Sequence, residues 1–218
     1  RTHAVTIIGE LQLRIHHCLM APEGATIDGL EVVRSHQQAL GQCRDWLRAH
    51  VPGATPEATP DTAGAARVVA ETGAPTTAAV ASRRAAERYG LEVLAEGLQD
   101  NEQNFTRFLV LAPADTDAPP VGAGEPKTSI TFVLQDNVPG ALFKSLAVFA
   151  LRELDLAKIE SRPLVGQPGR YRFYLDVHGD LEDEAVARAL DHLREITMEL
   201  QVLGSYPRGA TYPEGADR

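Results

Sequence analysis

The chain has 218 residues, 44% of them hydrophobic, enough for two domains of ordinary size, each with its own core. Its formal net charge is −9, and the acidic excess runs through both halves: residues 1–111 carry 10 basic and 13 acidic groups, residues 112–218 carry 11 and 17. That pattern excludes a basic field for nucleic acid. With no run of about 18 apolar residues and no charged, apolar leader at Arg1, it points away from a membrane and toward a soluble cytoplasmic protein.

In chain order, Ala4–Ile8 is a short β-rich run, and Leu11, Leu13, Ile15, His17 and Leu19 alternate with less apolar neighbours, the period of a half-buried strand. Leu30–Val33 predicts another strand after the turn at Pro22-Glu23-Gly24. Ser35 stands where a helix cap belongs, ahead of Leu40, Cys43, Trp46 and Leu47 at helical spacing through about Arg48. Asp61 caps a second helix over 62–72, and Ala78–Ala81 is a buried strand feeding a helix over 82–89 that Gly90 ends. Strands at 91–94 and 106–111 complete this part, and the alternation of strands and helices argues an α/β sheet with parallel neighbours.

Residues 112–127 turn to Pro, Gly, Ala and Asp and read as a linker. Beyond it come a strand at 128–134, a helix from Pro139 to about Glu153, a strand at 156–164, a turn at Gln167-Pro168-Gly169, a strand at 170–177, a helix at 182–199 and a strand at 202–206. The order βαββαβ is the ferredoxin-like plan. The stretch 208–218 has few apolar residues and reads as a disordered tail.

Cys18 and Cys43 are far apart, without metal-ligand spacing, and read as thiols rather than a disulfide. Around His16-His17-Cys18 only His16 and Cys18 share a strand face, and two ligands do not make a metal site.

Several short motifs carry chemistry. Asn104-Phe105-Thr106-Arg107-Phe108 places a hydroxyl, an amide and a guanidinium on one predicted strand. Thr106 and Phe108 share a face there and Arg107 opposes them, so Arg107 either grips a substrate carboxylate or forms a structural ion pair. Ser35-His36-Gln37-Gln38-Ala39-Leu40 and Asp61-Thr62-Ala63 each open a helix. Free amides at such a start suit an anion, or the residues simply cap. Asn137-Val138-Pro139-Gly140-Ala141-Leu142 sets a glycine at a strand-to-helix turn, followed eighteen residues after Leu142 by Glu160-Ser161-Arg162-Pro163. Taken singly these are a turn and a surface ion pair; paired at this spacing they read as an amino-acid site.

The Asn-x-Thr-Arg-Phe segment resembles the catalytic signature of prephenate dehydratases, and the Gly140-Ala141-Leu142 and Glu160-Ser161-Arg162-Pro163 pair resembles the phenylalanine-sensing ACT domain attached to them. The Ser-His-Gln-Gln-Ala-Leu segment resembles the family's Ser-His-Pro-Gln-Ala-Leu, with Gln37 where proline is usual. The resemblance implies a two-lobed, periplasmic-binding-protein-like α/β catalytic region over 1–111, the linker 112–127, and a ferredoxin-like ACT domain over 128–207. It implies cofactor-free loss of carbon dioxide and water from prephenate, giving phenylpyruvate for phenylalanine synthesis. Thr106 is then the catalytic residue, with Asn104, Arg107, Phe108, Ser35, His36, Gln38 and Thr62 on the substrate. L-phenylalanine would be the effector, held by Asn137, Gly140, Ala141, Leu142, Glu160, Ser161 and Arg162, in a homodimer or homotetramer in which the Glu-Ser-Arg-Pro strand reaches a neighbouring subunit's ligand. Arogenate dehydratase is the second reading, and a non-catalytic amino-acid-sensing module the third.

The family's opening Gly-Pro-x-Gly-Thr and Glu-Asn-Ser motifs do not occur in residues 1–218, and the first methionine is Met20. The catalytic region therefore reads as incomplete, as in a fragment of a longer protein that could also carry a chorismate mutase domain.

Overall fold

The computed structural model describes residues 4–136 and 138–212. The chain forms two compact units: Leu13–Thr106 with Tyr212, and residues 4–12 with Arg107–Thr211. Two strands pass from one unit into the other, β1 (Val5–Arg14) and β7 (Phe105–Pro113), so that the boundary falls between Thr106 and Arg107. Among the described residues no helix is long and apolar enough to cross a membrane.

The first unit is a five-stranded sheet in the order β4-β3-β5-β2-β6, built from β2 (Cys18–Ala21), β3 (Val32–His36), β4 (Thr55–Thr59), β5 (Thr77–Ala81) and β6 (Glu92–Glu96). β3 runs parallel to β4 and β5, while β2 is antiparallel to β5 and β6. Both faces are covered, which is why β5 reads as an unbroken run of small apolar residues. Leu19, Val33, Ala78 and Val80 pack toward Cys43 and Leu47 of the helical stretch formed by α1 (Gln37–Gln42) and α2 (Arg44–His50). Cys18, Met20, Ala79 and Ala81 face the alanine-rich sides of α3 (Thr62–Thr72) and α4 (Arg83–Tyr89).

Several details depart from the sequence expectation: the alternating run Leu11–Leu19 is divided between β1, which ends at Arg14, and β2, which begins at Cys18. Ser35 lies inside β3, fully buried, its Oγ donating to the Val80 carbonyl at 2.6 Å; the cap of α1 is His36, whose Nδ1 accepts from the Gln38 amide at 3.2 Å. The single helix expected through Arg48 breaks at Cys43 because the Asp100 carboxylate, distant in sequence, caps α2 by accepting from Asp45 N and Trp46 N. The edge strand β4 was absent from the pattern, being Thr-Pro-Glu-Ala-Thr and largely exposed. An edge tolerates Pro56, since proline lacks the donor only a central strand requires. Asp61 does cap α3, and Gly90, at φ 67°, ends α4 as expected; Gly73, at φ 64°, closes α3 at the expected Thr72.

The second unit contains β8 (Pro126–Leu134), α5 (Ala141–Ala150), β9 (Leu156–Pro163), β10 (Tyr171–His178), α6 (Glu184–Ile196) and β11 (Thr197–Pro207), with strand order β11-β8-β10-β9, all antiparallel. One face, with Ile130, Phe132, Phe173 and Leu175, meets Val148, Phe149, Val186, Leu190 and Leu193 of the helices. The helix expected to 199 ends at Ile196, where the chain extends directly into β11, and α5 starts at Ala141 because Gly140, at φ 81°, is its N-cap. The expected linker is shorter, since β7 runs to Pro113 and β8 begins at Pro126. Residues 208–212 are ordered rather than a loose tail: Gly209 N donates to Glu10 Oε1, Gln12 N donates to Ala210 O, and Thr211–Tyr212 forms β12 beside β1.

The sheet's other face is polar. Glu10 and Asp176 are both 5% exposed, and Lys127 and Ser129 are likewise buried. The Arg107 guanidinium joins them, Nε to Glu10 Oε2 at 2.6 Å, Nη1 to Asp176 Oδ2 at 2.6 Å and Nη2 to the Tyr206 hydroxyl at 2.8 Å. Lys127 Nζ meets Glu10 Oε1 at 2.5 Å, and Ser129 Oγ joins Asp176 Oδ1 and the Tyr206 hydroxyl at 2.5 and 2.6 Å. Two carboxylates against two cations leave the cluster neutral, and its members use hydrogen bonds to offset desolvation. Burial pushes the Glu10 carboxyl up, but the Lys127 hydrogen bond, the Gly209 amide and the Arg107 charge together hold it below its ordinary value of 4.5. Burial also raises the Tyr206 hydroxyl, so it stays protonated and able to donate.

Two outcomes test this packing. A Cβ at Gly204 would collide with the Ile7 backbone, so Gly204→Val should lower the stability of the protein by about 2 kcal/mol or more, read as a fall in thermal midpoint. A depressed Glu10 pKa contributes stability that is present above 4.5 and lost as pH falls through the lower folded value. Glu10→Gln should therefore cost about 3 kcal/mol at neutral pH and make the acid limb of a stability-against-pH curve shallower. An acid limb of unchanged steepness would count against the ion pairs.

Candidate functional site

One edge of the first sheet gathers most of the residues that the sequence singles out. Cys18 pairs with Ala81 and Glu96, and His36 with Thr59, so the start of β2 and the ends of β3, β4, β5 and β6 lie along the same side. In open α/β sheets the carboxyl ends of the parallel strands are where ligands bind. His36 and Gln38 are exposed there at the opening of α1, and Thr62, half-buried, opens α3 behind Asp61. Ser35 stands on the same strand as His36 but is sealed in the sheet, so its hydroxyl serves the Val80 carbonyl.

Asn104 is held at the same place by a relay invisible in the linear sequence. The His17 amide donates to Gln99 Oε1 at 3.0 Å, and His17 Nε2 donates to Gln42 Oε1 at 2.9 Å. Gln42 Nε2 in turn donates to Asn104 Oδ1 at 3.3 Å, while Asn104 O accepts from Ile15 N at 2.8 Å. Each amide's oxygen is thereby occupied, and the Asn104 NH2 is left as a buried donor with no partner among the described residues. An orphaned buried donor costs about 1–3 kcal/mol, so it marks a place where a ligand acceptor would be stabilising. Two residues on, and so on the same side of the chain, Thr106 is exposed, and among the described residues no partner is recorded for its hydroxyl. His16 Nδ1 accepts from Gln99 Nε2, and among the described residues no group of three or more metal-binding side chains forms.

Arg107 faces the other way. Its three nitrogens are committed to Glu10, Asp176 and Tyr206, which realises the ion-pair alternative and removes the fork from a carboxylate beside Thr106. Phe108 is 48% exposed. Sequence reasoning missed Gln42, Gln99 and Asp100, and weighed His17 only as a strand residue and beside a metal reading. It also missed Glu10, Lys127 and Asp176, although a lone charge inside an alternating apolar strand was there as a signal.

In the second unit Gly140 caps α5, and Ala141 and Leu142 are half-buried in its first turn. Asn137 lies outside the described residues. On β9, Glu160 is flanked by Lys158 at 2.8 Å and Arg162 at 2.7 Å, and these hydrogen bonds hold its carboxyl below the usual range. Ser161 and Arg162 are exposed, and β9 is an edge strand. A separate cavity of about 530 Å3, lined by Val33, Gln37, Leu40, Arg44, Leu47 and Pro56 among others, touches the Ser35–Leu40 motif at Gln37 and Leu40 but includes none of the residues expected to hold substrate or effector.

The family model described as prephenate dehydratase matches residues 1–116. Arogenate dehydratase/prephenate dehydratase 2, chloroplastic, of Arabidopsis thaliana is 45% identical over 221 residues, covering 96% of this chain and 56% of that protein. Arogenate dehydratase 2 of Petunia hybrida is 46% identical, covering 94% and 54%. The chain thus spans about half the length of these curated relatives. The crystal structure of prephenate dehydratase from Arthrobacter aurescens in complex with L-Phe superposes with a TM-score of 0.83 at 36% identity, covering 95% of this chain and 68% of that one. Fold, motif and relatives agree, and the chain belongs to the prephenate dehydratase family.

Proposed function

We propose that this chain is the part of a dehydratase of phenylalanine biosynthesis that carries the catalytic threonine and an L-phenylalanine-sensing ACT domain. The observation that carries the reading is the placement at one strand start of the exposed Thr106 hydroxyl near an Asn104 NH2 that has no hydrogen-bond partner among the described residues. In prephenate the bond to the ring carboxylate breaks, its electron pair enters the ring, and hydroxide leaves the opposite carbon as the ring becomes aromatic. The departing oxygen accepts a hydrogen bond as its charge develops, then a proton, so the products are phenylpyruvate, carbon dioxide and water. Thr106 is the donor in this reading. A hydroxyl of high pKa is a poor acid but a good preorganised hydrogen-bond donor where charge appears. Asn104 holds a second polar group of the substrate, and the exposed starts of α1 and α3, with His36, Gln38 and Thr62, face its carboxylates.

The βαββαβ unit is then the effector domain. The Gly140 turn gives the ligand carboxylate access to the amides of Ala141 and Leu142, while Glu160 answers the ammonium, across the contact of a homodimer or homotetramer. That the Arthrobacter relative is described in complex with L-Phe supports this assignment. The relatives' names include both substrates, and assay of the purified complete enzyme on prephenate and arogenate separates the two.

In the complete enzyme Thr106→Ala should lower kcat by a factor on the order of 100 or more with the thermal midpoint unchanged, and Thr106→Ser should recover part of the loss. Unchanged turnover in the alanine variant would remove Thr106 from the chemistry. For the effector, Glu160→Ala should weaken L-phenylalanine binding by about tenfold in calorimetric titration, the cost of one charge-assisted hydrogen bond. Full affinity in that variant would leave Glu160 a surface residue.

A further inference from the structure

The unit boundary falls at one peptide bond, with Thr106 on one side and Arg107 on the other. Successive side chains on a strand point to opposite faces, so the residue that fixes how β7 sits need not touch the substrate. Arg107 has the attributes of such an anchor: it is held by three elements at once, through Glu10 of β1, Asp176 of β10 and Tyr206 of β11. The crossing strand β1 is fixed in the same cluster, because Glu10 also takes Lys127 of β8.

The partners of Arg107 lie where the sheet is irregular. The β10–β9 register shifts between Asp176 and Val177, and the β11–β8 register shifts between Val202 and Gly204, ahead of Tyr206. Bulges re-aim side chains, and they are places where a small change in strand pairing alters direction rather than being absorbed. β9, the strand with Glu160, Ser161 and Arg162, is paired with β10 so that Lys158 faces Asp176 and Glu160 faces Tyr174. The bonded path therefore runs from the β9 ladder to Asp176, from Asp176 to Arg107, and along one peptide bond to Thr106.

We propose that Arg107 is a positioning residue that sets the placement of Thr106 from the β8–β11 sheet, and that its bonds to Asp176 and Tyr206 couple effector occupancy of that sheet to turnover. This rests on the functional reading above. It differs from a stability role, because three directed bonds from a rigid fork specify an orientation that a single charge pair does not. A coupling of this kind is a free energy shared by two sites, and it disappears when the element that both bias is cut.

The test uses the complete enzyme and measures kcat, KM, L-phenylalanine binding by calorimetry, and the ratio of kcat/KM with and without saturating L-phenylalanine. Tyr206→Phe keeps the ring and deletes only the hydroxyl, so basal kcat should stay within about threefold. L-phenylalanine should still bind, and the ratio should move toward one by about fivefold or more. Arg107→Ala should lower kcat more than it changes KM, and Arg107→Lys, which keeps the charge but not the fork, should recover only part. A Tyr206→Phe enzyme with a lowered thermal midpoint but an unchanged ratio would make the cluster structural only and overturn the proposal. Loss of L-phenylalanine binding itself would overturn it too. A wild-type enzyme with no dehydratase activity or no response to L-phenylalanine would sink the functional reading beneath it, which a failure confined to the variants would not.

Discussion

Two carboxylates and two cations buried on one face of the second unit's sheet are the constraint around which the rest is arranged. Stripping Glu10, Asp176, Lys127 and Arg107 of water is costly, and replacing such a cluster with apolar side chains would often stabilise a protein. What the polar version supplies is direction. Each acceptor oxygen of Glu10 and Asp176 is used, Tyr206 accepts from Arg107 while bonding Ser129, and Ser129 donates to Asp176, so a shift of one member leaves another unpaired. An apolar face would tolerate sliding of β1 and β7 along the sheet; this one does not. The close backbone approaches at Gly204 and Gly209, where side chains would strike Ile7 and Glu10, fix the same strands sterically.

The parts of the fold legible in the sequence are those set by local chemistry. β-rich runs marked β8 and β10, a run of small apolar residues marked the buried β5, and Asp61 and Gly90 announced the start of α3 and the end of α4. Elements defined by a distant partner escaped. The break between α1 and α2 is made by Asp100, more than fifty residues on, and the chain around Cys43 gives no sign of it. β4 has no apolar period because an edge strand exposed on both sides needs none. Residues 208–212 look like a tail by composition and become structure through backbone pairing with β1, a use of the main chain that side-chain patterns do not encode.

The candidate site divides in the same way. Thr106 and Asn104 were visible because a short motif holds them together. The reason Asn104 presents its NH2 is a relay through Gln42 and His17, from two other elements, and neither glutamine nor histidine is distinctive enough to be singled out alone. Ser35 illustrates the opposite error: a good capping residue at a plausible position was drawn into the sheet because its hydroxyl could satisfy the Val80 carbonyl, and the cap passed to the next residue able to accept, His36.

β7 shows why adjacency in sequence is a poor guide to shared function. Asn104, just ahead of the strand, and Thr106 fall on one parity and Arg107 on the other, so three residues of one short motif divide between presenting polar groups and anchoring the backbone that presents them. The division explains why a guanidinium that looks suited to a substrate carboxylate is instead saturated by protein: a fork with three fixed partners holds orientation better than one free to seek a ligand. It also sets what the segment can tolerate. A change of side chain at 107 alters the anchor, whereas the insertion of a single residue between 104 and 107 would exchange the two faces and destroy both roles at once.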